Sequence, residues 1–320
     1  MPRGPIFDDD YKPQLSGHET FPLRYGWLKK AYDAVYASEE LEDNKSIFLD
    51  EDAIARFGVG KNMVASMRHW ANAGGIITEG ESSASLVTTA LGEELFGPDG
   101  LDPYMEHPAS LWLIHWHLAG HPEKTTWFWA FNNFSGATFE RDRLVKGLEK
   151  VAKDRAWSRV AASTIRRDVE CFVRTYVARH ASAQSSPEDT LECPLAELGL
   201  VKPIGKRDGF RFVRGAKSTL GYGVFFYALV DFWNRFSPAA STLSFEAIAH
   251  EPGSPGRVFL LDENDIADRL MDLDEFTQGT FRWSETAGLK QVLREGALDL
   301  DAALEFIDLD YGVSAKREAA

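Results

Sequence analysis

Apolar residues recur at helical spacing from Phe21 to about Ala37, where Leu28, Ala31 and Val35 share a face with neighbouring aromatics. Pro22 falls in the first turn of that helix, and Glu19 or Thr20 would cap it. Farther on, LDEDAIARFGVGKNMVASMRHWANAGGIITEGESSASLVTTALGEEL changes period several times. It predicts a short helix over Asp52–Phe57, a glycine turn over Gly58–Gly60 and a second helix over Lys61–Ala73. A Gly-Gly stop then precedes two short β-rich pieces, GIIT and SLVTT. Helix, tight glycine turn, helix and hairpin is the order of a winged helix-turn-helix.

From Pro108 onward, ASLWLIHWHLAGHPEKTTWFWAFNNFSG places aromatics at helical spacing, a pattern that belongs to a core. Residues 140–180 read as charged helices, and HASAQSSPED interrupts the pattern after them. LVKPI and FRFVR then flank an Arg-Asp-Gly turn as a hairpin, followed by a buried helix in GYGVFFYALVDFW. The final third reads as helix, loop, helix and strand, with VFLL strand-like. The fold class expected is mainly α with small β-hairpins: an N-terminal winged helix-turn-helix, a helical middle and a second, degenerate winged unit at the C-terminus. The corresponding divisions are a flexible stretch over 1–15, a winged-helix-like domain over 16–125, a basic helical domain with its hairpin over 126–240, and an acidic domain over 241–320.

Composition narrows the class. At 320 residues, 44% hydrophobic and 26% charged, the chain is long enough for a core that needs no staples. Its two cysteines, Cys171 and Cys193, lack CxxC spacing, which excludes a cysteine-rich zinc site and suits a reducing cytoplasm. No apolar run reaches the length of a membrane helix, and the first residues, MPRGPIFDDDYKP, lack the apolar segment of a signal peptide. The expectation is a soluble cytoplasmic protein without a membrane partner.

The net charge of −14 excludes a binder that engages nucleic acid over its whole surface. The distribution is uneven, however. Residues 1–140 carry 10 basic against 21 acidic side chains, residues 141–220 carry 17 against 10, and residues 241–311 carry 5 against 16. Phosphate contact is therefore expected in the basic middle and on local patches. Placing Lys61–Ala73 at 100° per residue puts Met63, Val64, Met67, Trp70 and Ala71 on one arc, with Lys61, Asn62, Ser66, Arg68, His69 and Asn72 opposite. Lys, Arg, His and Asn suit phosphates and base edges. Other candidate DNA contacts are Arg24 in the opening motif, Arg166 and Arg167 in the basic helices, and Lys206, Arg207, Arg211, Arg214 and Lys217 around the hairpin.

Candidate chemistry is sparse. His115-Trp116-His117 is a His–hydrophobic–His triplet like the metal half of rolling-circle nicking enzymes, but a helix splays its imidazoles about 200° apart. Asp262 and Glu263 follow VFLL as a carboxylate pair that could hold a hard cation such as Mg²⁺, and they also read as an acidic helix start. Gly58-Val59-Gly60-Lys61-Asn62 looks like a phosphate loop but lacks its spacing. No Walker loop, dinucleotide fingerprint, nucleophile elbow or familiar nuclease signature is present. In SGHETFPLRYGWLKK, a carboxylate (Glu19) beside an imidazole (His18) could position a water or steer a proton, or His18 and Arg24 could grip a phosphate, or the stretch could be a capped helix with a local ion pair.

SGHETFPLRYGWLKKAYDAV, FGVGKNMVASMRHWANAGGII and SPGRVFLLDE together resemble the SspB-like family, first catalogued as a domain of unknown function and associated with bacterial DNA phosphorothioation. The resemblance runs from Ser16 to about Arg294 and is most specific at the opening motif. It implies a DNA-binding, DNA-nicking component of a phosphorothioate modification and anti-phage defence system. Its partners would be DNA, a cysteine desulfurase, an ATP-pyrophosphatase-like protein and an ATPase, with Mg²⁺ or another divalent metal as cofactor. The family supplies no agreed catalytic motif. His18 and Glu19 are the catalytic candidates because they sit in its signature beside cations. The rival expectation is a non-catalytic DNA-binding adaptor or transcription regulator.

Overall fold

The computed structural model describes residues 3–41, 43–158, 160–178, 193–205, 208–286, 288–296 and 298–312. It is about 51% helical with small antiparallel sheets. The first helix, α1 (Trp27–Tyr36), buries Trp27, Leu28, Ala31, Tyr32 and Val35 along one stripe. It starts six residues later than its apolar spacing predicts. Gly26, at φ 74°, sits in the left-handed region just before it, and Glu19 and Thr20 also have positive φ (47° and 67°). The amides of Thr20 and Phe21 turn back onto His18 instead of entering a helix. Neither Glu19 nor Thr20 caps α1.

Next come α2 (Ala53–Phe57), α3 (Lys61–Ala73), β1 (Ile77–Glu79), β2 (Leu86–Thr88) and α4 (Ala90–Phe96). The bounds of α3 are those its sequence predicts, because Gly60 and Gly74 flank it. β1 and β2 pair antiparallel, Ile77 opposite Thr88. The outer edge of β2 has no third strand. Instead the fully buried Asn44 donates from Nδ2 to the Leu86 carbonyl (2.8 Å) and accepts the Leu86 amide at Oδ1 (2.6 Å). Asn44→Ala would leave both backbone groups unmet, which costs about 2–3 kcal/mol. Urea denaturation measures this, and a loss below about 0.5 kcal/mol would show that the edge needs no partner.

α5 (Pro108–Gly120) is buried on nearly every side, as suits a helix that is apolar all round. With α6 (Thr125–Asn132) it forms the aromatic centre, where Trp112, Trp116, Phe128 and Phe131 are buried. The histidines of α5 are tied separately. His115 bonds Tyr176 Oη (2.8 Å) and the Val258 carbonyl (2.9 Å), whereas His117 bonds Tyr227 Oη (3.0 Å). β3 (Thr138–Phe139) precedes two amphipathic helices, α7 (Arg141–Asp154) and α8 (Ala162–Tyr176). β4 (Val201–Pro203) and β5 (Phe210–Phe212) form the expected hairpin, and β3 adds to its other edge in the order β3-β5-β4.

α9 (Tyr222–Phe236) leads into the final third: β6 (Thr242–Ser244), α10 (Phe245–His250), α11 (Pro255–Val258), α12 (Glu263–Met271), α13 (Leu273–Phe276), β7 (Phe281–Thr286) and β8 (Leu289–Arg294). VFLL, expected as a strand, instead closes α11 and turns through Leu260 at φ 53°. The third sheet runs β6-β8-β7, so the strand before the helices pairs with the last strand of the hairpin after them. The first 15 residues, expected to be flexible, lie against the body from Arg3 onward. Ile6 is fully buried and Tyr11 Oη donates to the Pro122 carbonyl (2.7 Å). One hydrophobic cluster runs through the expected divisions near 125 and 240.

Candidate nucleic-acid interface

The opening motif is a loop held between α3 and α8. Asp168, 2% exposed on α8, accepts the Ser16 amide (2.7 Å) and His18 Nε2 (2.8 Å) at Oδ1, and the Thr126 hydroxyl (2.5 Å) at Oδ2. His18 Nδ1 accepts the Thr20 amide at 3.0 Å, so both ring nitrogens are occupied and the proton is set on Nε2. His18 is itself 2% exposed. It fixes the loop from inside. Glu19 is exposed and forms no hydrogen bond with His18. The structure therefore separates the two residues expected to act as a pair.

From the other side, His69 of α3 stands edge-on to His18, with ring centroids 5.9 Å apart. Gly17, at φ 93°, lies so close that a Cβ there would be 2.5 Å from His69 Nδ1. This glycine allows the loop to touch the helix. Burial, then the nearby Lys124, His18 and Arg68 charges, hold the His69 imidazole well below its ordinary pKa. His69 is thus neutral near pH 7 and can offer only hydrogen bonds. Lys124, just before α6, has its ammonium pKa lowered chiefly by burial, against the opposing pull of Glu123 and Asp168.

The exposed side of α3 carries Lys61, Asn62 and Asn72, with Arg68 half-buried at its flank. Lys61 and Arg68 make no ion pair among the described residues, although the chain holds 49 acidic side chains. Ser66 departs from the expected polar arc. It is fully buried and its hydroxyl has no partner among the described residues. Arg166 and Arg167 are exposed on α8, make no ion pair among the described residues, and immediately precede Asp168. Cations from two helices thus accompany the residues that grip one loop.

The basic hairpin is less available than expected. Arg211 is exposed on β5. Arg214 Nη1 donates to the Leu261 carbonyl (2.9 Å), and Lys217 is buried with Nζ on the carbonyls of Val213, Gly215 and Leu260. Lys217 is an internal tie, so its expected DNA contact is corrected. Lys206 and Arg207 lie outside the described residues.

The weak metal candidates do not fit a resident Mg²⁺. Asp262 Oδ1 caps α12 by accepting the Asp265 amide (2.9 Å), and Glu263 pairs with His250 (3.2 Å). No group of three or more His, Cys, Asp or Glu side chains among the described residues is placed to hold a metal.

Sequence reasoning missed Asp168, Thr126 and Lys124. Asp168 had a usable signal, since it is the charge that interrupts the inward stripe Ile165, Val169, Phe172, Val173 and Tyr176. Thr126 and Lys124 carried none, because only the tertiary approach of α6 to the loop gives them a role.

With this geometry established, relatives can be compared. A family model described as "Protein of unknown function (DUF4007)" matches residues 15–311. A crystal structure of magnesium ion-bound SspB superposes with a TM-score of 0.82 at 31% identity, covering 93% of this chain and 88% of that one. A further SspB crystal structure gives 0.80 at 32%, with the same coverage. The chain belongs to the DUF4007 family, among SspB-like proteins. No curated protein matches it. No helix among the described residues is long and apolar enough to cross a membrane.

Proposed function

We propose that this protein is the DNA-binding and strand-nicking component of a bacterial phosphorothioate modification and defence system of the Ssp type. One observation carries the reading. In a chain of net charge −14, Lys61 and Arg68 make no ion pair among the described residues and lie on a helix entered through a glycine turn and followed by a hairpin. An exposed helix face with free cations and two asparagines suits phosphates and base edges. We read α2–α3–β1–β2 as a winged helix in which Asn44 substitutes for the missing strand. β6 to β8 form a second unit of the same order. Its acidic surroundings suit protein partners: the cysteine desulfurase, the ATP-pyrophosphatase-like protein and the ATPase of such a system. The chemical logic is that exchanging a non-bridging phosphate oxygen for sulfur needs access to phosphorus, which an opened strand provides.

Supercoiled plasmid incubated with the pure protein and Mg²⁺ is expected to yield open circles, and EDTA to prevent this. A second reading, a non-catalytic DNA-binding adaptor, draws support from the closed position of His18, and under it the plasmid stays supercoiled. For binding itself, Arg68→Glu is expected to weaken duplex affinity about tenfold and to flatten the slope of log affinity against log salt by about one. Fluorescence polarisation across salt concentrations measures both. An unchanged affinity would remove α3 from the interface.

A further inference from the structure

We infer that a cavity of about 560 Å³ beside the α2–α3 turn binds a nucleoside phosphate, with the phosphate on Arg24 and the N-terminus of α3. Arg24 is 9% exposed and lines this cavity, its Cζ lying 5.7 Å from the ring centroids of both Phe21 and Trp27. Its guanidinium has no hydrogen bond or ion pair among the described residues. A largely covered guanidinium whose donors are not taken up within the protein is available to an anion at its open edge.

The opposite wall supplies the second half of such a site. α3 has 13 residues, enters through Gly60 without a side-chain cap, and has no acidic residue in its first turn. The amides of Met63 and Val64 both turn back to the Gly60 carbonyl, while those of Lys61 and Asn62 have no acceptor among the described residues. Free amides and the helix dipole favour an anion there. Gly58 and Gly60 line the cavity, and a Cβ on either would meet nothing within 4 Å, so backbone alone borders the anion's approach. The stretch Gly58–Asn62, which lacks phosphate-loop spacing, would thus bind phosphate through a helix start and an arginine from another segment.

The volume exceeds what a phosphate needs and lies within the range of about 300–1,000 Å³ usual for ligand pockets. The remaining wall is mostly apolar: Trp27, Val59, Met63 and the 48%-exposed Ile54 at its rim, with Tyr25, whose hydroxyl donates to Glu197, as its polar member. That combination fits the sugar and base of one nucleotide. The inference rests on the DNA reading above insofar as the nucleotide belongs to a strand.

The test is isothermal titration with thymidine 5′-monophosphate, thymidine, inorganic phosphate and a 5′-phosphorylated single-stranded octamer. The monophosphate and the octamer should bind, and thymidine should bind at least about tenfold more weakly than its monophosphate. Arg24→Gln should lower affinity for the monophosphate at least about tenfold. Ile54→Glu, an exposed rim change that leaves the core intact, should do the same with an unchanged circular-dichroism melt. Arg68→Glu should leave monophosphate binding unaltered. If the wild type binds duplex DNA but neither phosphate nor the monophosphate at millimolar concentration, the pocket inference falls and the DNA reading stands. If the monophosphate binds through Arg24 but neither octamer nor duplex does, the pocket stands and serves a free nucleotide, and the DNA reading falls. Full affinity in both Arg24→Gln and Ile54→Glu would overturn the site.

Discussion

Asp168→Ala is expected to destabilise the protein by about 3–5 kcal/mol, the range for stranding the partners of a buried polar network. The carboxylate accepts from the Ser16 amide, His18 Nε2 and Thr126 Oγ1. None of the three would find water in its place, since Asp168 and His18 are each 2% exposed and Thr126 is fully buried. Asp168→Asn separates geometry from charge. Its carbonyl can still accept from Ser16 and His18, and its amide can donate to the Thr126 hydroxyl, so the loss should shrink to about 1–2 kcal/mol. Urea denaturation followed by circular dichroism measures both. Equal losses would mean that the charge holds the loop, and an Ala variant within about 1 kcal/mol of wild type would show that the network is dispensable. Because Gly17 lies against His69, releasing the loop should also weaken duplex binding in Asp168→Ala more than in Asp168→Asn.

Acidification should destabilise the protein well above the pH at which carboxylates protonate. Burial pushes His115 down to about 4 and His117 to about 3, and holds His69 well below its ordinary range. In the unfolded chain these histidines titrate near 6.5. Between 6.5 and the folded values the unfolded state binds protons that the folded state refuses, so stability falls as pH falls through that window. Each buried histidine contributes about 1.4 kcal/mol per pH unit, so His115 and His117 together remove roughly 4 kcal/mol by pH 5. That is a large share of a typical stability of about 5–15 kcal/mol. Urea midpoints at pH 7.5 and 5.0 test the sign, and a midpoint that holds or rises on acidification contradicts it. His115→Gln removes one proton-binding difference, so whatever it does to stability at neutral pH, its slope against pH should be shallower.

Local order explains why some parts were legible from the residues. Helix α3 starts and stops at glycines, and its burial pattern follows its own periodicity, so its bounds could be read directly. The β4–β5 hairpin was legible because its turn and its alternating residues agree. The start of α1 was not. The apolar spacing continues back to Phe21, but the Phe21 carbonyl accepts the Trp70 indole N–H (2.9 Å) and the Thr20 carbonyl accepts from Arg174, contacts that draw the loop away from helix. VFLL was misread for a related reason. Four apolar residues in a row suit a buried strand or a buried helix end alike, and its neighbours decided the case. The cations Arg214 and Lys217 looked like phosphate ligands because charge is visible in sequence, whereas the carbonyls of Leu261 and Leu260 that they reach lie more than forty positions away, with Val213 and Gly215 completing the Lys217 tie locally.

By itself the sequence determined the bounds of helix α3, that the aromatic middle is core, that basic residues outnumber acidic ones only in its middle, and which motif opens the chain. These properties follow from neighbours within a few positions or from composition. Tertiary structure alone decided which polar groups face inward. It closed His18 onto Asp168 across 150 positions, held the partly covered His69 well below its ordinary pKa, and left Arg24 lining a cavity with no hydrogen bond or ion pair among the described residues. The physical reason is that the free energy of a charge or hydrogen-bonding group depends on its burial and on partners distant in the chain, and neither is encoded in local spacing.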